Sequence, residues 1–324
     1  MKEEVAVQFG LTPPLGVISA PPGLLHQTFF VQAKEGDFVF QRLHQIIKPE
    51  TCQDAKVITD YVRVRGMAVP EFFVTKEGNP WYRTSDGSLW RAMSRLPGSS
   101  HSKVQSAEEA YAAAQFLGGF HTSLAEFSYE CSGAIPRFHD TPYLFEQFNE
   151  VVLKYKETPL FVPVAKDTAY ITEHMPKEFL PSNLPRQIVH GDPKISNFLF
   201  DKDSVCGLID FDTCMNHTKL VDIGDALRSW CNREDEDTKP VFDRTFYNAA
   251  VEGYRSSAIL TEMERQLIPQ ALRLITTELA MRFLQDYFED SYFGWDAAHF
   301  ATRREHNLTR ARNQIELHHQ IMQS

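Results

Sequence analysis

Three polar residues in one short stretch have the types and spacing for a definite chemistry. Asp192 is followed five positions later by Asn197, and Asp210 lies thirteen beyond that, closing an apolar run (205–209) in the sequence IDFDT. Phosphoryl transfer from ATP needs a carboxylate to accept a hydroxyl proton and oxygen ligands that hold a divalent cation against the phosphates. Asp192 fits the first task, and Asn197 and Asp210 fit the second. An Asn oxygen adds a ligand without adding carboxylate repulsion, which suits magnesium, a cation that takes one or two carboxylates together with phosphate oxygens and water. Asp212 is a third metal candidate, with a turn role as its alternative. Lys194, two residues after the base, is placed to neutralise charge on the transferred group, although a lone surface lysine would look the same. His190 precedes the turn and suits a backbone-organising role better than acid–base work. Asp and Asn are also ordinary turn residues, so the spacing carries this reading more than the residue types do.

The rest of the composition narrows the class. With 324 residues and 43% apolar content the chain can bury a large core, and its net charge of −10 comes without a clustered basic face. Nucleic-acid binding, which depends on such a face, is therefore not expected. No stretch reaches the roughly 18–20 apolar residues of a membrane span, and the start MKEEVAVQFG lacks a basic segment leading into an apolar one. The expectation is a cytoplasmic protein with no membrane or nucleic-acid partner. Five scattered cysteines without a CxxC pair read as reduced thiols, and the twelve histidines show no metal spacing.

Positioning elements follow from periodicity and punctuation. Segments 15–19, 28–33, 38–43, 71–75 and 89–96 read as strands between turn signals, with a helix over 51–65 stopped at Gly66. Pro97-Gly98-Ser99-Ser100 marks a joint, after which the pattern turns helical: Ser106 with Glu109 is a capping-box signature, and Ala110, Ala113, Leu117, Phe120 and Leu124 form a stripe. Two short strands, 187–189 and 205–209, deliver the polar residues. A second long helix starts at Thr261, and 305–323 is a polar helix, whereas 155–186, with five prolines, resists assignment. On the helix from Thr261, Ile268, Ala271, Ile275, Leu279, Arg282 and Asp286 share one face, so an apolar stripe ends in two charges. Either these pair with each other at i,i+4 spacing or they face a ligand. Asp222 and Asp225, three apart, with Arg228 read as bracing for the loop and a helix.

HGDPKISN and GLIDFDT resemble the HGDxxxxN and IDFD motifs of the aminoglycoside phosphotransferase and choline kinase superfamily, whose catalytic-loop spacing is similar to that of protein kinases. FHDTPYLFEQF (138–148), VDIGDALR (221–228), MRFLQDYFEDSYF and REHNLTRARNQI look most like the N-acetylhexosamine 1-kinases. The resemblance implies a bilobal, protein-kinase-like α+β fold, with a small strand-rich N-terminal lobe over 1–97 and a larger, mainly helical C-terminal lobe over 98–324. It further implies ATP and Mg2+ as cofactors, and a small-molecule sugar substrate phosphorylated at its C1 hydroxyl to give a sugar 1-phosphate. An amino alcohol or aminoglycoside acceptor is the alternative within the same chemistry. A non-catalytic, pseudokinase-like nucleotide-binding module is the alternative from another class.

The same resemblance distributes further roles. Met93, Ser94 and Leu96 fall at the hinge that holds adenine, and Gly23 in the turn over the phosphates, where Pro21 and Pro22 have no N–H to donate. The third strand, FVFQRLH, carries Gln41 where a basic residue is expected. Either Gln41 meets phosphate or substrate as a neutral donor, or a register shift lets Arg42 do so, or Gln41 merely lines the cleft. Arg282 and Tyr292 are implicated in substrate binding, together with Asp192.

Overall fold

A computed structural model describes residues 3–13, 15–20, 25–132 and 135–324. The chain begins with a short helix α1 (Glu3–Gln8), then runs into β1 (Gly16–Ser19), β2 (Gln27–Ala33) and β3 (Gly36–Arg42), helix α2 (Pro49–Arg63), and β4 (Tyr82–Arg83) and β5 (Leu89–Ser94). These strands form one antiparallel sheet in the order β1-β2-β3-β5-β4. Strand alternation sorts the side chains of β3: Phe38 and Phe40 pack with Val5, Ala6, Trp90 and Ala92, while Val39 and Gln41 face the other way. Residues 71–75 do not make the expected strand. Phe72 forms a single bridge to Met93, because Pro70 has no N–H for a ladder and the chain turns back at Gly78.

Beyond Ser94 the chain crosses to the helical part. Strand β6 (Ser99–Ser100) pairs with β8 (Phe198–Asp201), which pairs with β9 (Ser204–Leu208), and β7 (Gln187–Val189) pairs with β10 (Met215–His217). The helices are α3 (Ala107–Ser123), α4 (Thr141–Tyr155), α5 (Ala165–Glu178), α6 (Lys219–Trp230), α7 (Arg244–Ser257), α8 (Glu262–Glu289) and α9 (Arg303–Gln323). The result is a mixed α+β fold with a strand-rich N-terminal region and a helical C-terminal part. Helix α5 occupies the segment that resisted assignment; its single internal proline, Pro176, sits in the last turn, where it breaks little.

Caps set two of the long helices. Thr261 and Glu264 close a reciprocal capping box on α8. Ser106 caps α3 through the Glu109 amide, but the Glu109 carboxylate turns instead to the Gln105 amide and the His101 ring. Helix α8 is buried well beyond one stripe: Leu272, Leu274, Met281, Phe283 and Leu284 are buried along with Ile268, Ala271 and Ile275. It packs against α4, α5, α6 and α9 at once, so a single-face pattern understated it. No helix among the described residues is long and apolar enough to cross a membrane.

The crossing between the two parts is made by Gly98, at φ +95, where an added Cβ would fall 2.8 Å from the Phe200 carbonyl oxygen and 2.4 Å from Cys206 Sγ. Gly87 shares the left-handed conformation, with φ +83, but has open space around it. Gly98→Ala should therefore cost about 1–3 kcal/mol, and lower Tm further than Gly87→Ala. Thermal melts followed by circular dichroism check this; equal shifts would mean that the crossing relaxes around a side chain.

Candidate active site

Strand β7 ends at Val189, and residues 190–197 form the turn that carries Asp192. Gly191 takes φ +84, and a Cβ there would meet the Thr213 carbonyl oxygen at 2.3 Å, so the turn lies directly on the segment after Asp210. Asp222 of α6, 1% exposed, accepts from the amides of His190 (2.6 Å) and Gly191 (2.8 Å) and from His121 Nε2 (2.9 Å). Burial works against its charge, but His121 and the Gly191 amide hold the carboxyl below its ordinary range. Pro193 accepts from the Trp230 indole at 3.0 Å, and Thr213 donates to the His190 carbonyl at 2.9 Å.

His190 joins the two halves of the site. Its Nε2 donates to the Ile209 carbonyl at 3.0 Å, and Nδ1 lies 3.4 Å from the Asp192 amide. Asn197 adds a second tie. Its side-chain NH2 donates to the Asp192 carbonyl at 2.8 Å, and its own carbonyl accepts from the Ile209 amide at 2.9 Å. The bond to Asp192 occupies the side-chain amide nitrogen of Asn197, and its side-chain amide oxygen is the atom that could serve as a ligand. Asp210, next in the chain after Ile209, sits in the left-handed region at φ 70, a conformation that costs a non-glycine residue and is concentrated at functional sites. Asp192, Asn197 and Asp210 are thus brought together by backbone ties as well as by the sequence between them.

The Asp192 carboxyl, 31% exposed, is paired with Lys194 Nζ at 2.6 Å. Burial pushes it above its ordinary value; Lys194 opposes that, and Asp225 and Asp210 add to it. A raised carboxyl is a better proton acceptor than a free one. Lys194 is itself held above the ordinary lysine value by Asp192 and Asp210, against the effect of burial.

Asp212 has a different setting from Asp210. Both of its oxygens are taken by the Arg91 guanidinium, and His26 Nε2 lies 2.7 Å from Oδ2. Because His26 Nδ1 accepts from the His44 amide at 3.2 Å, Nε2 carries the proton and donates. His26, Asp210 and Asp212 stand near enough to surround a cation. Yet the protonated Nε2 offers no lone pair, and Arg91 and His26 already occupy three of the roughly four acceptor positions of Asp212. A hard cation such as magnesium fits the unengaged oxygens of Asn197 and Asp210 better.

The remaining expected residues are spread around the cleft. Gln41 donates to Thr28 at 3.3 Å and accepts from Arg91 at 2.8 Å, while Arg42 points to the opposite face and binds Ser88. Met93 is buried, and the Ser94 hydroxyl accepts from the Glu71 amide at 2.9 Å. Leu96 packs over Gly207. Gly23 lies outside the described residues. Arg282 does not pair with Asp286: that carboxylate instead accepts from the amides of Ser291, Tyr292 and Phe293 and from Asn307. The Arg282 guanidinium lies 5.1 Å from the Phe138 ring, 5.7 Å from Tyr292 and 5.5 Å from Phe293. Tyr292 is 57% exposed.

Several residues of the site were not singled out in sequence. Arg91 is one; a charged residue inside the apolar strand LWRAM was its available signal. The pair His139–Glu278 is another, 2.8 Å apart and buried. Asp225, held by Arg228 at 2.9 Å, raises both Asp192 and His139. It acts through space on both the proposed base and His139. The segment 138–141 and α8 meet through His139 and Thr141 on Glu278 and through Arg282 beside Phe138.

The sequence profile of the phosphotransferase enzyme family, APH, matches residues 17–300. Homoserine kinase of Zymomonas mobilis is 25% identical over 287 residues, covering 87% of this chain and 84% of its own. An amicoumacin kinase solved with AMP-PNP and Ca2+ superposes with a TM-score of 0.69 at 16% identity, over 97% of this chain and 91% of that one. A microcompartment-associated aminopropanol kinase gives 0.63 at 11% identity, over 99% and 96%. The two structural likenesses concern the fold.

The buried pair His139–Glu278 makes stability depend on pH. Burial alone would lower the imidazolium pKa of His139, but Glu278 outweighs it and the value is raised; Glu278 is lowered by His139, also against burial. A raised histidine contributes stability that is complete below its unfolded pKa of about 6.5 and is lost as pH rises through the folded value; a lowered glutamate contributes above about 4.3 and loses it as pH falls. Between these limits the pair acts at full strength. The Tm of the wild type should therefore fall more steeply above about pH 6.5 than that of Glu278→Gln. Parallel Tm–pH curves would show that Glu278 does not raise His139 on folding.

Proposed function

With the chain belonging to the phosphotransferase enzyme family across residues 17–300, we propose that it transfers the γ-phosphoryl group of ATP to a hydroxyl of a small, amine-bearing acceptor, an amino alcohol or hydroxy amino acid. The observation that carries this reading is the locking of Asp192, Asn197 and Asp210 into one turn-and-strand unit through Asn197 and Ile209. Asp192 takes the acceptor's hydroxyl proton as the new O–P bond forms and the bond to the β-phosphate oxygen breaks, releasing ADP. Magnesium, held by Asn197 and Asp210, would neutralise charge on the phosphates. Lys194 stands beside the base, where the transferred group arrives.

The acceptor class is supported by the homoserine kinase relative, which spans most of the chain. Arg282 would meet the carboxylate of a hydroxy amino acid. A second reading, an N-acetylhexosamine phosphorylated at C1, is favoured by one observation: Arg282 sits over three aromatic rings drawn from the segments 138–148 and 281–293, a surface suited to a sugar ring and its acetamide. A non-catalytic nucleotide-binding module has less support, since such a module has no need of a positioned base.

ADP release measured with homoserine, amino alcohols, aminoglycosides and N-acetylhexosamines separates these acceptors. No release above the acceptor-free rate with any of them would favour the non-catalytic module. Asp192→Asn should lower kcat by roughly a hundredfold to ten-thousandfold with ATP binding retained; a near-normal kcat would place the base elsewhere. Arg282→Ala should lower acceptor kcat/KM about ten- to a hundredfold and leave the ATP KM unmoved, because a charged hydrogen bond is lost on the acceptor side only. Arg282→Lys should recover little, since an ammonium does not reproduce the planar fork. An Arg282→Ala variant with intact acceptor kinetics and a lower Tm would make the aromatic cluster purely structural.

A further inference from the structure

Strand β3 presents Gln41, a neutral side chain, toward the cleft, and the positive charge stands one strand away. Arg91 is the register partner of Gln41 on β5, so both side chains emerge on the same face of the sheet. Arg91 Nε donates to Gln41 Oε1 at 2.8 Å, and the Gln41 amide donates in turn to Thr28 of β2 at 3.3 Å. Three neighbouring strands therefore fix the guanidinium in place. Its two terminal nitrogens leave the sheet and grip both oxygens of Asp212.

Asp212 is the carboxylate that Arg91 grips, and Asp210 acts on the guanidinium more weakly, through space. The guanidinium is buried, 1% exposed, and Asp212 is 5% exposed. The nearest group of α2 is Cys52, whose thiol is pushed up to about 11 by burial and is neutral. Asp54, the buried carboxylate of that helix, is engaged by Tyr129 and by Ser132. His26 holds the other side of Asp212 by donating from Nε2. A bidentate guanidinium–carboxylate pair in such a setting fixes direction as well as distance.

We infer that Arg91, aimed by Gln41, is the cation that couples the sheet to the metal-binding segment, and that it acts as a positioning residue for Asp210. Asp212 belongs to the short 3-10 turn 211–213, which begins directly after Asp210. Clamping Asp212 from the sheet side fixes that turn and, with it, the left-handed backbone that directs the Asp210 carboxylate. Gln41 serves the phosphates indirectly, through the arginine it orients. Arg42, bound to Ser88 on the far face, has no part in it. This inference rests on the reading of Asp210 as a ligand of the nucleotide-bound cation.

Titrating the whole, acceptor-free protein with ATP, with and without magnesium, tests the inference without relying on turnover. In Arg91→Met the enhancement of ATP binding by magnesium should shrink at least about tenfold, while metal-free ATP binding stays within about threefold of wild type. Gln41→Met, which removes the aiming bond and leaves no charge unpaired, should shift it the same way by roughly threefold, and it guards against an Arg91 variant that fails to fold. Moving the cation across the register, in Gln41→Lys/Arg91→Gln, should restore most of the enhancement. A purely structural Arg91 would lower Tm in Arg91→Met and leave the magnesium enhancement as in wild type, which overturns the inference. So does a double variant no better than Arg91→Gln alone. A wild type whose ATP binding ignores magnesium would instead remove the reading of Asp210, and the inference with it.

Discussion

Asp222 accepts three hydrogen bonds where water does not reach: two from the backbone of the turn that carries Asp192, and one from His121 of α3. The consecutive amides of His190 and Gly191 point into the protein because Gly191 turns the chain over, and in that position no strand or helix supplies acceptors for them. Left unpaired, each would cost about 1–3 kcal/mol. A carboxylate at the first turn of α6 solves the problem electrostatically and geometrically, since its two oxygens can serve both amides and the imidazole together. His121 in turn is held through Nδ1 by the Tyr254 hydroxyl of α7 at 2.7 Å, so three helices converge on one turn. Everything polar in the site is referenced to that fixed point: Asn197 to the Asp192 carbonyl, Ile209 to Asn197 and to His190, and Asp210 to Ile209.

A second set of contacts refers the sheet to the same place. Thr28, Gln41, Arg91, Asp212 and His26 form an unbroken chain of hydrogen bonds from β2 to the segment after β9 and back to the loop before β2. Asp212 and Asp210 are two residues apart, yet one is buried and hydrogen-bonded to a guanidinium and a histidine, while the other lies near both without bonding to either. That difference decides which of the two fits a hard cation. Elsewhere, His139, Glu278 and Arg282 bring segments distant in sequence, 138–141 and α8, into contact.

Local chemistry was the most legible part of the chain. Caps such as Ser106 and Thr261, the joint at Pro97-Gly98, and the strands that lead into Asp192 and Asp210 depend on neighbours a few residues away, and the sequence displays those neighbours. Helix α5 was hidden because prolines at its margins look like breakers whether they stand inside a helix or just before it. Arg91 was passed over because its meaning depends on Asp212, 121 positions further on. Gln41 seemed a weakness for the same reason: a strand shows its own residues but not its register partner. Arg282 and Asp286, four apart on one helix face, looked like a natural ion pair. What separated them was the loop at 291–293, whose three amides outcompete a guanidinium for that carboxylate.

Hydrogen exchange at the His190 and Gly191 amides, read beside turnover, probes the anchoring of the turn that carries Asp192 most directly. Asp222→Asn keeps the shape and one acceptor oxygen but removes the charge and the second acceptor. Faster exchange at these two amides, together with a loss of kcat and unchanged helical circular dichroism, is the expected result. Exchange and kcat both at wild-type levels in a folded Asp222→Asn protein would contradict it, and would mean that the turn carrying Asp192 is held in place by something other than this buried carboxylate.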